Sequence, residues 1–381
     1  MRIKNILFTT AFVGTLILSA CGGSSHTHTW GEATYTWSDD YSTCTAFRVC
    51  TKDESHFEEE TANSVYEIVT PETVDTDGEG QYVVSFTNEA FVAQTHTVYL
   101  PKDKYATKPH FSTYSRKYVQ YGLYPQTAIN DANLIAALDN LTTPESNGWY
   151  FYNGVYYAKQ EAMACESTYT FSNGDTIVIH DEYWFECKPI SWKVLSNENN
   201  QCFLLSELLL DSQAFNASIE ERTIEGKTIY PNNYKYSDLR AWLNDDFYNS
   251  AFALGKSNIL LTTVDNSAAS TGNATNDYAC DDTEDYVFLP SYKDYTNANY
   301  GFNPLIPEYR RCLVTDYALA CGAKLEVNSN FAYYFWTRSP FAEYAKNVKN
   351  INYTGQFANS SNRVDYHLNG VRPAIMVTID E

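Results

Sequence analysis

The sequence predicts an α+β fold for the larger, C-terminal part of the chain and a small all-β module before it. Residues 26–101 hold short runs in which Thr, Val and Tyr alternate with polar residues, a period-two pattern typical of strands. After residue 117, hairpin turns and strand-like runs are mixed with two capped helical segments. The chain has 381 residues, and the change of pattern along it predicts two domains.

The N-terminus has the order of a secretory signal. Two basic residues precede an apolar stretch at 6–18, which ends in Leu18-Ser19-Ala20-Cys21. This ending resembles the bacterial lipobox. The resemblance implies a signal peptide at 1–20, lipidation of the Cys21 thiol and a short tether at 21–25. It also implies a chain that is exported and lipid-anchored to the bacterial membrane or cell surface. An ordinary secretory signal with a chance cysteine is the alternative.

The charge balance excludes some classes of partner. The chain carries 26 Lys and Arg against 47 Asp and Glu, a formal net charge of −21. Nucleic acid and anionic lipid are repelled by this excess of acid, so we expect neither. The partners that we expect are the membrane, through the Cys21 lipid, and a glycan or a surface protein.

The chain holds nine cysteines, an even number once Cys21 is set aside. Disulfides are permitted in an exported protein, and three local pairs are candidates. The sequence leaves the connectivity open, with Cys202 and Cys280 as further partners. The candidate pairs are Cys44 with Cys50, Cys165 with Cys187, and Cys312 with Cys321.

Residues 26–101 resemble a β-rich repeat of bacterial surface proteins, in which the repeat is a spacer or adhesive stalk. Only one copy is present, so a long stalk is not implied. The matching blocks are His28-Thr29-Trp30-Gly31-Glu32, Tyr35-Thr36-Trp37-Ser38-Asp39-Asp40, Thr43-Cys44-Thr45-Ala46, Arg48-Val49-Cys50 and Ser85-Phe86-Thr87-Asn88-Glu89-Ala90-Phe91.

Residues 102–116 are rich in Lys, Pro, Ser and Thr and predict a linker. The large domain, 117–381, follows. Asn130 or Asp131 is expected to cap one helix, and Ser237 is expected to cap a second helix. The buried stripe predicted for the second helix comprises Leu239, Trp242, Leu243 and Phe247. Asn153-Gly154 is a strong hairpin signal.

From Val119 onward the chain resembles a bacterial domain family that has no assigned function. Its last two blocks are also similar to the C-type-lectin-like fold, as used by formylglycine-generating enzymes and phage receptor-binding proteins. The resemblance implies a C-type-lectin-like domain at 117–381. The matching blocks are Val119-Gln120-Tyr121-Gly122-Leu123-Tyr124-Pro125-Gln126, Pro189-Ile190-Ser191-Trp192-Lys193-Val194-Leu195, Leu204-Leu205-Ser206-Glu207, Ser237-Asp238-Leu239-Arg240-Ala241-Trp242-Leu243-Asn244, Asp285-Tyr286-Val287-Phe288-Leu289-Pro290-Ser291, Thr315-Asp316-Tyr317-Ala318, Trp336-Thr337-Arg338-Ser339-Pro340 and Gly370-Val371-Arg372-Pro373-Ala374.

Trp336, Arg338 and Arg372 are the candidate ligand-binding residues. Tryptophan can stack on a sugar ring, and a guanidinium can hold a carboxylate through two parallel hydrogen bonds. The alternative is that the three side chains lock the core, with each arginine paired to a buried carboxylate.

Asp281, Asp282 and Asp285 are the candidate metal ligands, since carboxylates crowd the loop before Val287. Hard oxygen donors at this density suit calcium. The spacing is not that of an EF-hand, and a solvated acidic loop is the alternative. Zinc-binding side chains also occur at His26, His28, Cys44, Cys50 and His56, but their spacings fit no tight zinc motif. We therefore expect no cofactor other than calcium.

The sequence therefore predicts a surface-anchored lipoprotein whose C-terminal domain binds a glycan or a protein ligand. No serine-hydrolase elbow, zinc-binding helix or phosphate loop is present. An exported enzyme acting on glycan or peptide, and a structural envelope protein, are the alternatives.

Overall fold

Strands dominate this protein, at 42% of residues against 13% in helices. The computed structural model describes residues 17–19, 27–112, 115–164, 168–326, 331–332, 334–358 and 362–379. The predicted α+β, C-type-lectin-like fold is wrong, because the strands form many small sheets and the described helices are short. The chain divides into two compact units between Lys102 and Asp103.

Among its described residues, the first unit contains strands but no helix. A four-stranded antiparallel sheet and a three-stranded antiparallel sheet account for all of them. The first sheet comprises Ile17–Ser19, Thr34–Trp37, Thr43–Cys50 and Asp53–Asn63, and the second comprises Val65–Thr70, Gly78–Val84 and Gln94–Leu100. Glu60 is buried, and its carboxylate accepts hydrogen bonds from the backbone N–H groups of Thr87 (2.7 Å) and Asn88 (2.8 Å). These bonds tie the loop after the sixth strand to the first sheet.

The second unit is built on an eight-stranded antiparallel sheet. Its longest strand, Glu182–Glu198, pairs with three neighbours. The other seven strands are His110–Ser112, Ser115–Ala128, Tyr150–Tyr152, Val155–Glu161, Gln201–Ser206, Val287–Phe288 and Ala374–Thr378.

A five-stranded sheet packs into the same hydrophobic core. Trp192 and Leu204 of the larger sheet belong to one buried cluster with Phe335 and Ile351 of the smaller sheet. The five strands are Asp211–Ser212, Gly370–Val371, Tyr334–Pro340, Asn347–Asn352 and Asn362–Arg363. Three strand pairs lie outside the two sheets: Leu208–Leu209 with Leu313–Val314, Arg222–Ile224 with Lys227–Ile229, and Thr262–Val264 with Thr283–Asp285.

The helices begin at the predicted caps. Asp131 accepts hydrogen bonds from two backbone N–H groups of helix Ala132–Leu138, and Ser237 accepts one from helix Asp238–Trp242. The second helix continues as the π-helical turn Leu243–Phe247 and then as Tyr248–Ala251. The remaining helical pieces are Tyr234–Tyr236, Ala268–Thr271, Tyr292–Tyr295, Ala298–Tyr300, Pro307–Arg310 and Asp316–Ala320. The hairpin at Asn153-Gly154 is also confirmed.

The segment predicted as a linker, 102–116, is divided between the two units, with Lys102 in the first and its other described residues in the second. The backbone carbonyl of Ala106 accepts a 2.9 Å hydrogen bond from Gly122, and His110 lies 2.9 Å from the carboxylate of Asp103. These contacts hold the segment within the fold, although its composition is polar.

The candidate disulfide pairs are not bonded to each other where both cysteines are described. Cys44 and Cys50 lie on one strand, six residues and about 20 Å apart, too far for a bond between them. Cys312 and Cys321 are thiols, as is Cys187. Its predicted partner Cys165 lies outside the described residues, as does the lipidation candidate Cys21. No helix among the described residues is long and apolar enough to cross a bilayer.

Candidate ligand-binding cleft

A buried carboxylate lies at the floor of one cleft of the second unit. Asp211 follows the apolar run Leu208-Leu209-Leu210 and begins a two-residue strand that pairs with Gly370–Val371. Its side chain is 2% exposed. The carboxylate accepts hydrogen bonds from the Tyr124 hydroxyl (2.6 Å), the Ser212 N–H (2.7 Å) and the Gln213 side-chain amide (3.1 Å). Asp211 is thus held in one orientation by three donors.

Burial sets the protonation of this carboxyl group. Loss of solvent raises the pKa of Asp211 to about 6, while the hydrogen bonds from Tyr124, Ser212 and Gln213 act in the opposite direction. The group therefore changes charge just below neutral pH.

Cys321 lies beside this carboxylate. Burial, followed by the negative charge of Asp211, raises the pKa of its thiol well above the ordinary value. A nucleophilic cysteine needs the opposite shift, since the thiolate is the reactive form. The pair is therefore not an activated thiol of the kind that cysteine hydrolases use.

Above Asp211 lies a cleft of about 370 Å³. Trp242 and Tyr317 are half-buried in its wall, and the Tyr317 ring meets Tyr124 edge-on at 5.6 Å. The Tyr317 hydroxyl donates to the Gln160 amide oxygen at 3.4 Å. Met163 and His367 are exposed. The complete lining is Tyr124, Gln160, Met163, Asp211, Ser212, Gln213, Ala214, Trp242, Tyr317, Cys321 and His367.

Trp336 lies beneath this cleft and not on a surface. The side chain is 0% exposed, so no face of the indole is available to stack on a ligand. The indole N–H donates a 2.8 Å hydrogen bond to the backbone carbonyl of Gln213. The residue therefore belongs to the core, the alternative that the sequence left open, and supports a cleft residue from below.

Arg338 lies elsewhere, against a cavity of about 210 Å³ that Phe203, Phe288 and Tyr300 also line. Its Nη1 donates to the Leu289 carbonyl at 2.7 Å and to the Asp294 carboxylate at 2.8 Å. The guanidinium is therefore largely occupied by partners within the fold.

Arg372 borders a third cavity, of about 250 Å³. It is buried, with Nε donating to the Ser206 carbonyl (2.9 Å) and Nη1 to the Arg310 carbonyl (3.2 Å). The structure therefore distributes the three candidate residues over separate places and does not bring them together in one site.

The three aspartates of the proposed calcium site also point to different partners. Asp281 pairs with Lys235 at 2.9 Å, and Asp282 accepts a 3.0 Å hydrogen bond from the Asn266 N–H. Asp285 is fully buried against Arg240, with a 2.6 Å ion pair. In the described part of the chain, no group of three or more carboxylate, histidine or cysteine side chains is placed to hold a metal ion.

Residues 199–379 match the profile of a family described as a domain of unknown function, DUF6273. This region of the chain is therefore similar to the members of that family. The sequence prediction of a C-terminal domain without assigned function is confirmed for this range, although the resemblance was drawn from Val119. The matched region contributes Asp211, Trp242 and Tyr317 to the cleft, whereas Tyr124 precedes it. No curated protein and no solved structure matches the chain.

Sequence reasoning missed the central residues of the cleft. Asp211 had one visible signal, a carboxylate directly after three leucines. Trp242 was assigned to the buried stripe of its helix, yet it is half-buried and lines the cleft. Tyr124 lay within a family block without any sign of its partner.

Proposed function

We propose that the chain is an exported lipoprotein, held by a lipid on Cys21, that binds a carbohydrate in the cleft above Asp211. The observation that carries the binding proposal is the composition of the cleft. Half-buried aromatic rings stand beside fixed carboxylate and amide groups, the combination that recognises sugar rings and their hydroxyls. Its volume of about 370 Å³ lies in the range of small-molecule sites.

The concave shape of the cleft favours a small ligand over a protein partner. Protein partners usually meet on extended interfaces of about 800 Å² per partner. The cleft instead offers an enclosed floor at Asp211, with Trp242 and Tyr317 in the wall. A sugar unit on a glycan chain fits this geometry, with the rest of the chain outside.

Binding is also favoured over glycoside hydrolysis. Most glycosidases use two carboxyl groups about 5–9.5 Å apart. Asp211 is the only carboxylate among the described residues that line the cleft. A raised pKa suits a general acid, but the second carboxylate of the hydrolytic pair has no counterpart there.

The test is a glycan-array screen of the purified chain beside the variant Trp242→Ala. We expect a defined set of glycans to bind the native protein and to be lost in the variant. Tyr344→Ala is the control, since Tyr344 is 57% exposed and does not line the cleft. Hydrolysis of a bound glycan, abolished in Asp211→Asn, would replace the binding proposal with an enzyme.

The anchor is tested separately. Cys21→Ser should abolish labelling of the protein by a fatty-acid probe in bacteria and should release it from the membrane fraction. Unchanged labelling of the variant would contradict lipidation at Cys21. This result leaves the binding proposal unaffected, because the array uses purified protein.

A further inference from the structure

The cavity beside Arg372, in the same unit, is positively charged, whereas the cleft above Asp211 holds a carboxylate. It has a volume of about 250 Å³, and Lys193, Arg311 and Arg372 all line it. Glu207 is the only acidic residue among the described lining residues. Three cations against one carboxylate form a positive pocket in a chain whose formal net charge is −21.

We infer that this pocket binds a small oxyanion, a carboxylate or phosphate group carried by a ligand. The inference is independent of the carbohydrate cleft, because the two cavities share no lining residue.

Arg372 forms the rigid part of the pocket. Its side chain is 4% exposed, and it donates hydrogen bonds to the carbonyls of Ser206 and Arg310. Both acceptors are neutral, and no described carboxylate forms an ion pair with this guanidinium. A buried cation normally has an anionic partner. The positive charge of Arg372 is therefore available to an anion that binds in the pocket.

Lys193 and Arg311 are less constrained. Neither side chain donates a hydrogen bond or forms an ion pair within the described residues, and the Arg311 Nε is a buried atom without a partner there. Arg311 is held by a ring instead, with its guanidinium carbon 3.4 Å from the centre of Phe331. An oriented guanidinium with a vacant donor is suited to a planar oxyanion.

The fold also places like charges together. Burial lowers the pKa of Lys193, and the positive charges of Arg372 and Lys117 lower it further. Such an arrangement opposes folding, since each cation destabilises its neighbour. Arrangements of this kind concentrate at functional sites, and a bound anion relieves the repulsion.

Aromatic side chains complete the pocket. Tyr118 lies opposite Lys193 on the neighbouring strand, and Tyr309 is exposed beside them. Ring faces of this kind can pack against the body of a ligand whose charged group contacts the cations. The pocket therefore takes the charged end of a larger molecule as well as a free anion.

The experiment is calorimetric titration of the purified chain with two probes, inorganic phosphate and glucuronate, at low ionic strength. At least one probe should bind with a Kd near or below about 1 mM. Removing one charge-assisted contact in Arg311→Gln should weaken that binding about tenfold or more. Arg311→Lys should recover only part of it, because the charge remains and the planar fork is lost.

Lys293→Gln is the matched control. It removes the same single positive charge, from an exposed side chain outside the pocket. Lys193→Gln is a second pocket variant, in case Arg311→Gln does not fold. Trp242→Ala should leave phosphate binding unchanged, which separates this pocket from the carbohydrate cleft.

Three results would overturn the inference. One is the absence of heat with both probes. Another is an equal loss of affinity in Arg311→Gln and Lys293→Gln, which would mean a diffuse charge effect. The third is binding that persists in both pocket variants. Phosphate binding alone would identify a phosphorylated ligand, and glucuronate binding alone would identify an acidic sugar or another carboxylate; each supports the inference.

Discussion

The Tyr124 hydroxyl donates a 2.6 Å hydrogen bond to the buried carboxylate of Asp211, across 87 residues of sequence. This bond joins the long strand Ser115–Ala128 of the larger sheet to the edge of the smaller one. It fixes the position of the Asp211 carboxylate at the floor of the proposed carbohydrate cleft. The charge at this floor depends on whether Asp211 is protonated.

The first prediction concerns pH. Burial raises the pKa of Asp211 to about 6 from an ordinary 3.8, so the folded chain holds this proton more tightly than the unfolded chain. The stabilisation is complete below about pH 4 and is lost as the pH rises through about 6, with a change of the order of 2–3 kcal/mol. Asp211→Asn lacks this titration. In urea unfolding from pH 4 to 7, the variant should gain stability relative to the native protein; parallel curves would contradict the shift.

The second prediction separates the two tryptophans. Trp336→Ala removes a fully buried indole and its hydrogen bond to Gln213, so it should reduce the free energy of unfolding by about 3–5 kcal/mol. Trp242→Ala truncates a half-buried ring and should cost about 1–2 kcal/mol. Chemical denaturation measures both. A small loss in Trp336→Ala would mean that its ring is exposed in solution, as the sequence suggested.

The third prediction concerns the acidic loop. Arg240→Gln leaves the buried Asp285 carboxylate without its cation, which should cost about 3–5 kcal/mol. The double variant Arg240→Gln, Asp285→Asn should recover part of this loss. Lys235→Gln is the control, since its partner Asp281 is exposed.

Calcium provides the complementary measurement for this loop. Because the carboxylates of Asp281, Asp282 and Asp285 have separate partners within the fold, added calcium or a chelator should leave the melting temperature unchanged. A rise in melting temperature with calcium, lost in Asp281→Asn, would restore the metal site.

The fourth prediction concerns the thiol of Cys321. Its pKa is raised by burial and by the charge of Asp211, so iodoacetamide should modify it slowly at neutral pH. Asp211→Asn removes the nearby charge and should speed the modification, as measured by mass spectrometry of the folded protein. Rapid labelling of Cys321 in the native chain would show an activated thiol and would favour an enzyme.

Local features of the fold could be predicted from the sequence. The caps at Asp131 and Ser237 and the hairpin at Asn153-Gly154 depend on hydrogen bonds and turn conformations within a few residues. The fold class could not be predicted, because the stretches between these signals form strands that pair over long distances. The sequence segments that carry the family resemblance also contain both core residues and cleft residues.

The candidate site shows the same limit. Trp336 and Trp242 are both tryptophans in family blocks, and only the packing distinguishes a buried ring from one that lines a cleft. The contact between Tyr124 and Asp211 could not be predicted, because it is not reflected in the spacing or periodicity of residues in the sequence. Arg372 is a ligand-binding candidate from the sequence, but its neighbours in the pocket, Lys193 and Arg311, come from distant segments.

The most direct test of the central claim is the affinity of the purified chain for a glycan identified on the array, measured by calorimetry. Stacking on Trp242 predicts a loss of about tenfold or more in Trp242→Ala, with the fold retained and with Tyr344→Ala unaffected. Unchanged affinity in folded Trp242→Ala would contradict the account, because the carbohydrate would then bind outside the cleft above Asp211.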